Sequence, residues 1–285
     1  MKTYVFPGQG TQRVGMGKDL FEEYKNLISI INEILGYSIE ELCLKDPENN
    51  LNKTQYAQPA IFVVNSLAYL KKIKETVIKP DFVIGHSLGE YNALFAADAF
   101  NFETGLKLVK KRGELMSRML DGGMAAIIGL CDNDIKRIIN DNELNTLNIA
   151  NYNTPLQIVI AGPKSDIIKS QTVFEKNGCA LFVLLNVNGA FHTHYMEAAK
   201  REFDVFLKDI SFSELQITVI ANITGKPHKN NEIKKNLVEH FTNPVRFTDS
   251  ILFLLSQGVS QFEEIGESKV LTGLIQKMKK EIKPQ

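Results

Sequence analysis

Phe82-Val83-Ile84-Gly85-His86-Ser87-Leu88-Gly89-Glu90-Tyr91 sets one serine between two glycines, just after an apolar run and just before a stretch of good helix formers. The spacing G-x-S-x-G is what a nucleophile elbow requires. A serine at the apex of a sharp strand-to-helix turn has strained backbone angles, and strand and helix pass so close beside it that side chains at Gly85 and Gly89 would clash. The gain is a hydroxyl exposed at a helix N-terminus, where free backbone N–H groups can meet a developing negative charge. The chemistry this predicts is attack by Ser87 on an acyl carbon; the plain alternative is a Gly-rich strand-to-helix turn with no catalytic role.

An elbow serine needs a base, and the chain has five histidines. His86 adjoins Ser87 in the turn and is badly placed to share its hydroxyl. His228 and His240 fall in polar stretches that read as exposed. His192 and His194 remain, in the segment Leu185-Asn186-Val187-Asn188-Gly189-Ala190-Phe191-His192-Thr193-His194, although a histidine in a loop is more often a surface residue than a base. The H-x-H pair has no cysteine or carboxylate cluster beside it, so no metal site is expected.

Arg112 stands out by position. Val109, Arg112, Met116 and Met119 follow helical spacing and form one stripe, of which only the arginine is charged. A guanidinium on a buried face demands a partner. The residue pattern alone also allows an arginine at the stripe's edge that snorkels to water.

These residues need a framework, and length and composition bound it. The 285 residues are 44% hydrophobic, enough for one sizeable domain or a domain with an insertion. Lys+Arg 33 and Asp+Glu 33 cancel, so no field favours nucleic acid or an anionic membrane. Cys43, Cys131 and Cys179 are widely spaced without a C-x-x-C, as expected of reduced thiols in a cytoplasmic protein. The opening Lys2-Thr3-Tyr4-Val5-Phe6 reads as a strand; neither a signal peptide nor a membrane span is expected.

Along the chain the pattern predicts a strand at 3–6, helices near 18–35 and 58–74, the elbow, and a helix near 103–121 that Gly122-Gly123 breaks. Then come strand 124–130, helix 133–142, strands 147–153 and 156–162, helix 164–177 and strand 180–186. That order is the ferredoxin-like arrangement. The fold class expected is α/β: a large domain with a parallel sheet, from residues 1–122 and 188–285, and a small inserted ferredoxin-like domain at 123–187. The basic end, Lys277-Met278-Lys279-Lys280, reads as a solvated helix face.

Phe6-Pro7-Gly8-Gln9-Gly10-Thr11-Gln12, Gln58-Pro59-Ala60, Gly85-His86-Ser87-Leu88-Gly89-Glu90-Tyr91, Gly189-Ala190-Phe191-His192, Asn243-Pro244-Val245-Arg246-Phe247 and Glu264-Ile265-Gly266-Glu267-Ser268-Lys269-Val270-Leu271 stand in the order found in malonyl-CoA:acyl carrier protein transacylases. The chain resembles that family over almost its whole length. The resemblance implies an α/β-hydrolase-like large domain, Ser87 as nucleophile and His192 as general base. It implies an oxyanion site made by the backbone N–H groups of Gln9 and Leu88, each such donor contributing about 3–4 kcal/mol. The histidine would be oriented by a main-chain carbonyl at Asn243, giving a dyad with no carboxylate. Arg112 would grip the malonyl carboxylate as a bidentate pair that a lysine reproduces poorly, with Gln58, His86 and Phe191 also lining the substrate site. Malonyl-CoA and a phosphopantetheinylated acyl carrier protein would be the partners, with no tightly bound cofactor, and a monomer is expected.

Phe191 bears on pathway. In related polyketide acyltransferases an aromatic ring before the histidine accompanies malonyl selection, opposing an extra methyl by about 1–3 kcal/mol. Gly-Ala-Phe-His therefore resembles the discrete, trans-acting acyltransferases of polyketide synthesis more than those of fatty-acid synthesis, which remain the alternative. Two rival classes are an acyl hydrolase, which commonly lacks the arginine, and a carrier-protein binding module that has lost its chemistry. Retention of Arg112 argues against the first, and an intact Ser87, His192 and Gln9 against the second.

Overall fold

In a computed structural model, which describes residues 1–282, the first strand β1 (Lys2–Phe6) runs from near the N-terminus to the edge of the site. Three short helices, α1 (Lys18–Glu23), α2 (Lys25–Leu35) and α3 (Ile39–Leu44), lead to the long α4 (Thr54–Thr76). The expected single helix at 18–35 is interrupted at Tyr24, where the backbone leaves helical geometry (φ −111°, ψ 36°). The elbow lies between β2 (Phe82–Gly85) and α5 (Gly89–Ala96), followed by α6 (Phe102–Ser117), whose start is capped by Asn101 accepting from the Thr104 amide at 2.9 Å.

The middle of the chain is β3 (Gly122–Ile128), α7 (Asp132–Asp141), β4 (Asn148–Thr154), β5 (Gln157–Pro163), α8 (Lys164–Lys176) and β6 (Leu181–Leu184). Gly122 and Gly123 begin β3 rather than merely breaking a helix. The segment Gly189-Ala190 passes so close that a Cβ on Gly122 would sit 2.3 Å from the Ala190 nitrogen. The chain then returns through α9 (Glu197–Phe206), β7 (Thr218–Ala221), β8 (Lys226–Pro227), α10 (Ile233–Glu239), α11 (Phe247–Ser256), β9 (Gln261–Glu264) and α12 (Val270–Glu281). In α12 the basic face is interrupted by Met278, which is fully buried in the core.

These strands form two sheets. The first has the order β8-β7-β2-β1-β9; β7, β2, β1 and β9 are mutually parallel and β8 pairs antiparallel with β7. Strands β1, β2 and β7 are buried on both faces, as the period-2 geometry shows: Tyr4 and Phe6 pack toward α4, α5 and α6, whereas Val5, with Ile84 and Ile220, packs toward α11 and α12. The second sheet has the order β4-β5-β3-β6 and is antiparallel throughout. Beneath it, Ile127, Ile158, Ile160, Ile135, Ile138 and Phe174 form a separate core with α7 and α8. The two sheets meet through β4. The Tyr152 amide donates to the Val245 carbonyl (2.8 Å) and the Val245 amide to the Ala150 carbonyl (2.9 Å). That junction sets β4 and the segment before α11 beside the elbow.

Candidate active site

Strand β2 ends against the N-terminus of α5, and Ser87 sits between them with φ 53°, left-handed geometry that a non-glycine residue holds only under constraint. The flanking glycines show the constraint. A Cβ on Gly85 would lie 1.8 Å from the Gly89 carbonyl carbon, and one on Gly89 would lie 2.0 Å from the Phe6 carbonyl oxygen. Asn222, at the carboxyl end of β7, ties the turn: its Oδ1 accepts from the Ser87 amide (2.8 Å) and its Nδ2 donates to the Gly85 carbonyl (2.7 Å). Sequence reasoning missed Asn222. The available signal was a polar residue at the end of an apolar strand in a parallel sheet, the position where such folds build their sites.

His192 is buried and approaches Ser87 from the segment after β6, its Nε2 2.8 Å from the Ser87 Oγ. Its Nδ1 donates to the His240 carbonyl at 2.8 Å. A carbonyl only accepts, so the proton of the neutral ring is held on Nδ1 and the lone pair of Nε2 faces the serine. Burial first, then the nearby His240 and Arg112, hold His192 well below the usual histidine pKa, keeping the ring neutral.

The expected position of the orienting carbonyl, Asn243, needs correction. Asn243 turns its side-chain amide back onto the Glu239 carbonyl (2.8 Å). The carbonyl on His192 is that of His240, the residue that ends α10, where the last helical carbonyls have no partner within the helix and are free to accept. The reading of His228 and His240 as exposed is likewise overturned. Both are buried against Glu90, because the polar stretches around them fold inward to satisfy that carboxylate. His194 is the exposed member of the H-x-H pair, its ring resting on Tyr195.

Arg112 is 2% exposed and does not snorkel. Its Nη2 donates to the Ser87 Oγ (3.1 Å) and its Nη1 to the Gln58 Oε1 (2.8 Å), and the guanidinium lies over the rings of Tyr91 and Phe241. Gln58 in turn donates to the Gln9 Oε1 (3.3 Å), and Gln9 to the Thr54 hydroxyl (3.1 Å). Burial draws the arginine's pKa down, with Tyr91 and Glu90 opposing, and among the described residues no carboxylate pairs with it. A desolvated guanidinium with only neutral acceptors is a ready anion site.

A cavity of about 430 Å³ opens over the serine, with Gln9, Gln58, His86, Met116, Phe191 and His192 in its wall. His86 bonds through Nε2 to the Asn153 Oδ1 of β4 (2.8 Å), and burial lowers its pKa to about 4. Leu88 is buried at the start of α5, and neither its amide nor that of Gln9 donates to a protein acceptor among the described residues. The arrangement can deprotonate a serine, hold an anion beside it, and offer backbone donors to a developing oxyanion.

The acyl transferase domain family matches residues 3–284. The polyketide biosynthesis malonyl CoA-acyl carrier protein transacylase PksC of Bacillus subtilis is 53% identical over 99% of this chain and 98% of its own length. The crystal structure of a malonyl CoA-acyl carrier protein transacylase from Burkholderia pseudomallei superposes with a TM-score of 0.96 at 40% identity, covering 100% of this chain and 99% of that one. A structure of a type II PKS acyl-carrier protein in complex with its malonyl-transacylase matches with a TM-score of 0.92 at 33% identity, over 97% of this chain and 92% of that one.

Proposed function

The chain belongs to the acyl transferase domain family, and from that premise we propose that it moves malonyl from malonyl-CoA to the phosphopantetheine thiol of an acyl carrier protein through a malonyl-serine. The observation that carries the substrate is Arg112. Its guanidinium is buried, lacks a carboxylate partner, and reaches within 3.1 Å of the nucleophile's oxygen. A short acyl group with a carboxylate close to its reacting carbonyl can meet both, as malonyl does with a single methylene between the two.

The Ser87 Oγ attacks the thioester carbonyl while His192 Nε2 takes the hydroxyl proton. The oxyanion formed is held by the amides of Gln9 and Leu88. As the carbon–sulfur bond breaks, His192 returns the proton to the CoA thiolate, leaving malonyl esterified to Ser87. The carrier thiol then enters, gives its proton to His192 and attacks the ester; collapse of the second tetrahedral species reprotonates Ser87. The His240 carbonyl keeps the proton of the neutral ring on Nδ1 throughout, in the place a carboxylate takes in a triad. Every step uses side chains, backbone amides and the two thiols, so no resident cofactor is needed.

Residues 1–122 and 188–285 are read as an α/β-hydrolase-like catalytic domain and 123–187 as an inserted ferredoxin-like domain. The strand-helix-strand-strand-helix-strand order and the antiparallel arrangement β4-β5-β3-β6 support that reading. Service to a polyketide synthase in trans is supported by the PksC likeness and by Phe191, whose ring walls the cavity next to the base. The test is intact-mass measurement after incubation with malonyl-CoA, with and without a phosphopantetheinylated carrier protein. A malonyl adduct that Ser87→Ala abolishes and that moves to the carrier is expected; release of free malonate in place of transfer would make the protein a hydrolase.

A further inference from the structure

Glu90, in the first turn of α5 directly behind the elbow, is 1% exposed, and the dyad as described gives it no part. A carboxylate buried that deeply is costly unless paired and hydrogen-bonded. Its contacts lead to both catalytic side chains. On one side its Oε1 accepts from the Asn222 amide (3.0 Å), and Asn222 clamps the Ser87 amide and the Gly85 carbonyl. On the other its Oε2 lies 2.9 Å from the His240 Nδ1, a charge contact without hydrogen-bond geometry. The His240 ring stacks on the His192 ring with centroids 4.5 Å apart, and the His240 carbonyl holds His192 Nδ1. His228 completes the cluster: its Nε2 is 2.9 Å from the Glu90 Oε1 and its Nδ1 is 3.1 Å from the Asn236 Nδ2, so the neutral tautomer carries its proton on Nε2, toward the carboxylate.

We propose that Glu90 is the positioning carboxylate of this active site: through Asn222 it fixes the nucleophile's turn, and through His240 it fixes the general base and places a negative charge behind it. The proposal rests on the dyad reading given above. It makes the carboxylate indirect, set back by one residue from each member of the pair. Acylation puts a positive charge on His192, and a fixed anion one ring away stabilises that imidazolium and keeps the neutral ring basic enough to act. His240, Arg112 and His86 face His192 and oppose its protonation, while Arg112, Tyr91, His228 and His240 surround Glu90. Glu90 is therefore the one anion in the set. Burial alone would raise its pKa, but His240 and His228 outweigh burial and hold it below the ordinary carboxylate range.

Glu90→Gln and Glu90→Asp separate charge from placement. Glu90→Gln keeps an acceptor for Asn222 but removes the charge. It should lower kcat about 10- to 100-fold with KM for malonyl-CoA changed less than about threefold, and move the acid limb of kcat/KM down by about one pH unit. Glu90→Asp keeps the charge but withdraws it by one methylene, so the limb should stay while kcat falls about tenfold. Rates are taken per site able to form the malonyl adduct, which removes any loss from misfolding. If Glu90→Gln does not fold, the Glu90→Asp result decides alone. Wild-type kcat and limb in the folded variants, with only the thermal midpoint lowered, would make Glu90 a structural residue and overturn the proposal while leaving the dyad intact. Adduct formation surviving in Ser87→Ala would instead overturn the dyad itself.

Discussion

Arg112 is the residue on which substrate choice turns, and its surroundings say how. The guanidinium is held by Gln58 and by the rings of Tyr91 and Phe241, all uncharged, so among the described residues no carboxylate pairs with it directly until an anionic acyl group arrives. Replacing it with alanine removes a charge-assisted pair from a desolvated pocket, and kcat/KM for malonyl-CoA should fall by about 2–5 kcal/mol, roughly 30- to several-thousand-fold. Acetyl-CoA carries no carboxylate, so its rate should hold or rise. The quantity to measure is the malonyl-to-acetyl ratio, and an unchanged ratio in Arg112→Ala would remove Arg112 from substrate recognition. The helical stripe in the sequence marked this arginine as odd, but its depth could not be read there. Whether a charged side chain at a stripe ends in water or in a pocket depends on what α4 and α5 place in front of it.

At the scale of elements, the strand–turn–helix unit works because three backbones meet with no side chains between them. A Cβ on Gly89 would strike the Phe6 carbonyl at the end of β1, and that contact is backbone on both sides, so no rotamer change relieves it. Gly89→Ala should destabilise the protein by about 3 kcal/mol or more and displace the Leu88 amide from the oxyanion position. Thermal unfolding and malonyl-serine formation should therefore fall together, and a variant with wild-type values for both would mean that the elbow relaxes freely. The neighbouring element shows the limit of pattern reading. The end of α10 supplies the carbonyl that orients His192, but from His240 rather than Asn243, because what matters is which orphaned carbonyl of a helix terminus faces the ring.

Across the whole molecule, the fold keeps several imidazoles neutral at its centre. His86 falls to about 4, and His192 and His240 are also lowered, all mainly by burial. Each binds a proton more readily when unfolded, near 6.5, than when folded. Their neutral burial is therefore fully compatible with the native state above about pH 6.5 and penalises it as pH falls toward 4. His86 alone accounts for at most about 3 kcal/mol over that window, less where the cavity admits solvent. Stability should accordingly rise with pH between about 4 and 6.5 and level off above. Thermal midpoints across that range check it, and His86→Asn should flatten the slope; an unchanged slope would mean that His86 titrates normally.

The amino-acid sequence determined the elements and the chemistry carried by local spacing. Alternating and helical periodicities marked most of the strands and helices from β1 to β6 to within a few residues but none from α9 to β9, and G-x-S-x-G announced the elbow, because these depend on backbone geometry between near neighbours. Ordered motifs scattered over the chain identified the family. Only the tertiary structure decided which histidine carbonyl meets the base, that Asn222 clamps the turn, that His228 and His240 are buried, and that Glu90 lies behind both catalytic side chains. The hydrogen bonds among these contacts join residues between 48 and 138 positions apart. They are set by sheet order and helix packing, and no local period in a sequence records which distant polar groups will share one buried space.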